Sequence, residues 1–158
     1  MTLDPTILRE SFDLIMDRRP DLTVRFYEIL FARYPHLAPL FRRDRTAQAK
    51  MLAGAIAAVL DHLEDAPWLE ATLGALGAKH VEYGVTYEMY DQVGDALLAT
   101  LAEAAAEAWT LEVEEQWIDA YGAIAQMMRS GMLPELVTRP TMPTIPPPQP
   151  STAATSEA

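Results

Sequence analysis

An all-helical fold is what this sequence predicts, on three observations. Half the chain is apolar, Leu and Ala dominate it, and β-branched residues are few, a composition that favours helices. Apolar residues recur at steps of three and four along most of its length, the spacing that lines one face of a helix. No stretch alternates apolar and polar residues as a half-buried strand would. At 158 residues the chain suits one domain with a real core.

The elements follow in order. Asp4-Pro5 starts the first helix, a capping carboxylate followed by a proline that tolerates the first helical position. Ile7, Leu8, Ser11, Phe12 and Ile15 give its inner face, which ends before Pro20. A second helix spans about 21–33 with Leu22, Phe26, Ile29 and Leu30 inward. Tyr34-Pro35 stops it, because the residue before proline is pushed out of the helical region. A short helical turn over 35–40 delivers Phe41, and residues 42–45 (Arg, Arg, Asp, Arg) form a charged corner. A long helix over about 46–64 turns Met51, Leu52, Ala55, Ile56, Val59 and Leu63 to one side. The next begins near Trp68 and breaks at Gly84. Thr86 can cap a fifth helix with Tyr90, Val93, Leu97, Leu98 and Leu101 inward. Thr110 can cap a sixth, with Val113, Trp117, Tyr121, Ile124 and Met128 on one face.

Beyond Gly131 the composition changes. Residues 134–158 hold seven of the twelve prolines and no aromatic residue. The expected organisation is therefore a folded domain over 1–133 and a disordered or polyproline-like tail over 134–158, dispensable for folding.

Charge and cysteine content exclude several functions. Net charge is −11 and unevenly spread: residues 51–133 carry two Lys/Arg against fourteen Asp/Glu. Such a body does not hold nucleic acid or an anionic membrane by charge. Without cysteine there are no disulfides and no thiolate sites, leaving His, Asp and Glu as metal ligands. The start of the chain lacks a signal-peptide pattern, and no apolar run is long enough to span a bilayer. A soluble, cytoplasmic protein, monomeric or homodimeric, is expected.

One stretch organises the rest. Leu69, Leu73, Leu76 and His80 share a helix face that is apolar except for its last member. Such a histidine is either a core imidazole bonded to a backbone carbonyl or one presented to a metal or cofactor.

Further landmarks give that stretch a context. Phe26-Tyr27 lies on the second helix, Phe41 six residues after Pro35, Gln48 seven residues on, and Lys79-His80 thirty-one and thirty-two after that. Tyr90 follows, then Glu112 with Trp117 and Tyr121-Gly122. In this order the set resembles the globin family, specifically the bacterial single-domain globins and the globin part of flavohaemoglobins, over about residues 5–132. The resemblance implies a three-over-three helical sandwich enclosing haem b. It implies His80 as the iron's axial ligand through Nε2, with Tyr90 and Glu112 behind it to strengthen its donation. On the opposite, distal side it places Tyr27 and Gln48 as donors to a ligand carrying negative charge. Phe41 wedges the disc, Leu52, Tyr83 and Val93 line its pocket, and Lys79 and Arg43 reach its propionates. Tyr27, Gln48, Tyr90 and Glu112 are thus the expected reactive set. Position 48 is Gln where the commonest animal pattern has His, so no distal imidazole is available. His62 and His36 are expected to be structural or on the surface.

The implied function is reversible binding of dioxygen, with nitric oxide and CO as further ligands, and it can extend to nitric oxide dioxygenation. A reductase follows the globin in flavohaemoglobins; here only a short tail follows, so a separate reductase would have to supply electrons. The alternative is a non-enzymatic oxygen store or gas-sensing module acting through a partner protein. A haem-free interaction protein of the same fold is a third reading, opposed by the joint presence of Tyr27, Phe41, Gln48 and His80.

Overall fold

The computed structural model of the chain describes residues 3–41 and 44–141, and side chains up to residue 132. Its regular structure is entirely helical: α1 Pro5–Arg18, α2 Leu22–Arg33, a 3-10 turn Pro35–Leu40, α3 Arg45–Asp61, α4 Ala66–Glu82, α5 Met89–Ala105, a 3-10 turn Ala106–Ala108 and α6 Leu111–Thr141. The breaks fall where local chemistry puts them. The Asp4 carboxylate accepts from the N–H groups of Thr6 and Ile7 at 3.0 and 3.2 Å. Asp44 accepts from those of Thr46 and Ala47, Asp65 from that of Trp68, and the Thr110 hydroxyl from that of Val113. Each satisfies first-turn N–H groups that have no partner within the helix. Thr86 does not cap α5: Glu88 stands at that position without a side-chain bond, and the Thr86 N–H donates instead to Met89 Sδ.

Two expectations about extent change. α4 begins at Ala66 rather than near Trp68, because Pro67 is tolerated within the first turn. α6 continues to Thr141, past the expected start of the tail at 134. Residues 142–158, and Arg43, lie outside the described residues.

The helices pack around two apolar clusters. The larger gathers Leu8, Phe12 and Ile15 of α1, Leu22, Phe26 and Leu30 of α2, Leu37, and Leu97 and Leu101 of α5, closed by Trp117 of α6. Leu8, Ile15, Leu30 and Leu101 are fully excluded from water, each stabilising the fold by about 1.5–3 kcal/mol. Ser11, on the otherwise apolar α1 face, accepts from Trp117 Nε1 at 2.9 Å. The smaller cluster holds Leu69 and Leu73 of α4, Tyr90, and Ala125 and Met128 of α6. Against the larger cluster α3 is only half covered: Leu52 and Ile56 are half-buried, and Met51, expected inward, is 50% exposed.

α4 and α6 cross antiparallel at close range because glycines line the seam. A Cβ at Gly77 would collide with the Met128 backbone carbonyl, and one at Gly131 with that of Gly74. Backbone cannot step aside, so Gly77→Ala is expected to cost about 1–3 kcal/mol, read as a lower urea midpoint at unchanged slope. The end of α5 shows the opposite case. Ala106 has φ 51°, a region glycine occupies freely and alanine does not. Ala106→Gly is therefore expected to stabilise the chain by about 1 kcal/mol, or ~3 °C in Tm by calorimetry.

Candidate functional site

His80 sits near the C-terminal end of α4, turned away from the glycine seam. Leu69, Leu73 and Gly77 are buried, whereas Leu76, expected on the same inward stripe, is 36% exposed. The reason is helical drift: α6 approaches from the Gly77 side, leaving Leu76, His80 and Tyr83 on the adjoining face. The His80 Nδ1–H donates to the Leu76 carbonyl at 2.8 Å. A carbonyl only accepts, so the proton lies on Nδ1 and the Nε2 lone pair is free. Burial pushes the imidazole pKa below its ordinary 6.5, against the smaller opposing effect of the Leu76 bond. The ring is neutral at pH 7, the form in which an imidazole ligates a metal.

That shift has a signed consequence for the chain alone. As pH falls through 6.5 the unfolded histidine takes up a proton before the folded one does. Folding stability therefore drops from about pH 6.5 towards the lower folded value. Urea titrations at pH 7.5 and 5.5 should show the fall, and His80→Phe should remove part of it.

The Phe41 corner abuts the end of α4. Gly84, at φ +93°, has space for a Cβ only at 3.4 Å from the Leu40 side chain. Half-buried Phe41 packs edge-on to Tyr27 at 5.3 Å between ring centroids, and lies 5.4 Å from Phe31. Tyr27 is buried, 3% exposed. Burial raises its hydroxyl pKa, while the nearby Gln48 side chain and Arg45 guanidinium draw it partly back. The phenol thus stays protonated and able to donate. Leu52, one turn beyond Gln48, and Val93 on α5 are half-buried at the edge of the larger cluster. Tyr83 is 51% exposed, with its ring 5.8 Å from that of His80.

The expected partners behind His80 are placed elsewhere. Glu112 is exposed in the first turn of α6. α4 meets α6 at Met128 and Gly131, so the part of α6 level with His80 is near Ala125, roughly 20 Å along the helix from Glu112. Glu112 remains a helix-start carboxylate favoured by the macrodipole. Tyr90 is buried, yet its hydroxyl has no hydrogen-bond partner among the described residues. Its backbone carbonyl accepts from the Tyr121 hydroxyl at 2.6 Å. The place expected for these two side chains, at Nδ1, is taken by Leu76. Lys79, expected at a propionate, is exposed and 3.6 Å from Glu82. His62 is structural: it stacks on Trp68 at 3.7 Å and bonds to the Ala58 carbonyl. His36 is exposed.

Two features of the site escaped sequence reasoning, and a third, the backbone carbonyl bonded to His80, was one of the two readings the sequence left open. The Leu76 carbonyl was legible in principle, since a helical Nδ1 reaches the carbonyl four residues back. Arg45 over the Phe31 ring at 5.0 Å carried no separable signal within its charged corner. Arg129 did, being one of only two basic residues in 51–133.

Six helices packed around an apolar core, with a neutral, half-buried imidazole near the end of α4, have the architecture of a globin domain. The globin family model matches residues 24–128, and the chain belongs to the globin family. It is 34% identical over 132 residues to the flavohemoprotein of Vibrio cholerae, an overlap of 80% of this chain and 34% of that protein. It therefore spans about a third of the length of that curated relative. A bacterial globin from Campylobacter jejuni superposes with TM-score 0.72 at 26% identity, covering 84% of this chain and 96% of that one. A flavohemoglobin from Malassezia yamatoensis, with bound FAD and heme, shares the fold at TM-score 0.67 and 24% identity, over 85% of this chain and 37% of its own.

Proposed function

We propose that this chain holds haem b through His80 Nε2 and reversibly binds dioxygen, with nitric oxide and CO as further ligands. The observation that carries this is the neutral, half-buried His80 whose Nδ1 is committed to Leu76 and whose Nε2 is free, in a chain that also buries the Tyr27 phenol beside Phe41 and near Gln48. The residues fit the group. Leu52, Ile56, Met51 and Leu76 are apolar side chains that the protein leaves partly uncovered and that would wall the disc, with Phe41 supplying an aromatic edge. Among the described residues no group of three or more His, Asp or Glu side chains could hold a metal ion. A single imidazole would suit an iron whose other, non-protein ligands come from a macrocycle. When bound, haem iron supplies a reversible site for one diatomic gas.

The rest is done by this chain's own side chains. Tyr27 donates to a ligand bearing negative charge, Gln48 adds a second donor or orients the phenol, and the aromatic cluster keeps bulk water out. Behind His80 stands a neutral carbonyl rather than a carboxylate, which moderates the imidazole's donation and favours reversible binding.

Nitric oxide dioxygenation is the second reading, favoured by the Tyr27–Gln48 pair and by likeness to flavohemoproteins. Nitric oxide and dioxygen combine to nitrate, and each turnover needs one electron from a reductase. Steady-state nitric oxide consumption by haem-loaded protein, with and without a flavin reductase and NADH, decides between them. Sustained turnover with reductase supports the enzyme. A single stoichiometric burst in both arms leaves a store or a gas sensor acting through a partner.

A further inference from the structure

Arg129 is a basic residue in an acidic half, yet its side chain is only 16% exposed. Nε and one terminal nitrogen both donate to the Tyr87 carbonyl, at 3.2 and 2.7 Å. The same terminal nitrogen reaches Asp91 Oδ1 at 3.1 Å. The guanidinium carbon lies 4.1 Å from the Tyr87 ring centroid and 5.4 Å from that of Tyr90. All three partners belong to the corner that begins just after His80 and ends in the first turn of α5. The near end of that corner is tied to His80 itself, whose carbonyl accepts from the N–H groups of Tyr83 and Val85 at 3.0 and 3.1 Å. Its middle is loosely held: Gly84 turns at positive φ, and the Thr86 N–H finds a sulfur acceptor.

We propose that Arg129 is a positioning residue for His80: by clamping the α4–α5 corner to α6, it fixes the tilt and azimuth at which the imidazole meets haem. The inference rests on the haem reading above. A guanidinium suits the task, because a planar fork can bond one carbonyl twice while stacking on a ring, which an ammonium cannot do. Tyr90 does not substitute for it, since its hydroxyl bonds to nothing among the described residues.

The test uses the full chain loaded with haem, after wild-type uptake has been measured. Arg129→Met, Arg129→Lys and Tyr87→Ala are compared by the iron–histidine stretching band of the ferrous protein in resonance Raman, and by the rate of haem transfer to apomyoglobin. Arg129→Met is expected to shift and broaden the band and speed haem loss about tenfold, the scale of losing an outer-shell support. Arg129→Lys keeps the charge but loses fork and stack, and should follow Met. Tyr87→Ala removes the ring stack but keeps the carbonyl that accepts both bonds, so it should move both readouts the same way by less; Arg129→Lys decides the matter if Arg129→Met does not fold. A wild-type band and haem-loss rate in Arg129→Met and Tyr87→Ala would overturn the clamp. Full rescue by lysine would also overturn it, in favour of charge alone. Failure of the wild-type chain to take up haem sinks the haem reading first, and this inference with it.

Discussion

His80→Ala is expected to lower haem affinity by at least about a hundredfold, more than the loss of an outer-shell support would cause. The reason is specific to the ring. Its Nδ1 is committed to Leu76 at 2.8 Å and its Nε2 is free, so the substitution removes the one imidazole lone pair that this face of α4 presents. The fold should survive, because His80 is only half-buried and contributes no large apolar volume to either cluster; apoprotein stability should stay within about 1 kcal/mol of wild type. Added imidazole should restore a histidine-like ferrous spectrum by filling the vacated space, a result that a packing role for the side chain does not explain. Haem titration followed by absorbance, with and without imidazole, checks both parts. Unchanged uptake and an unchanged Soret band in His80→Ala would remove the axial assignment.

Tyr27→Phe is the second large effect expected. The phenol is buried at 3% exposure and stays protonated, with the Gln48 side chain nearby. A hydrogen bond to a partly charged ligand contributes about 1.5–3 kcal/mol, so its loss should speed dioxygen release about tenfold to a hundredfold, at 1.4 kcal/mol per decade. CO carries little charge on its outer atom and should respond much less. Stopped-flow displacement of dioxygen by CO, set beside CO dissociation, measures the difference. Equal changes for both gases would mean that Tyr27 acts through its size. Gln48→Ala should give a smaller change in the same direction.

Much of the fold was legible because its signals are local. Asp4-Pro5, Tyr34-Pro35 and Thr110 set helix boundaries within their own turn, and the apolar steps along α1 and α5 match the buried residues. What was not legible depends on how helices meet. The stripe from Leu69 to His80 reads as one face, but the Gly77–Met128 crossing draws α6 to one side and leaves Leu76 and His80 on the other. Glu112 had the right chemistry for a partner of His80, and only the position of the α4–α6 crossing shows that it lies a long way down the helix. The packing of Tyr27, Phe41 and Gln48 near one another was easier to read, since each sits on or beside an element whose inward face is fixed by buried neighbours such as Phe26 and Ala49. Lys79 could not be read either way, because an exposed lysine with a glutamate three residues on finds its partner locally.

The most direct test of the account is to titrate the purified full chain with haem and record absorption spectra of the ferric, ferrous and CO-bound forms. The account predicts uptake of one haem per chain, a ferrous spectrum of five-coordinate, histidine-ligated iron, and full conversion on adding CO. No saturable uptake, or a ferrous spectrum with the sixth position already held by a protein side chain, would contradict it.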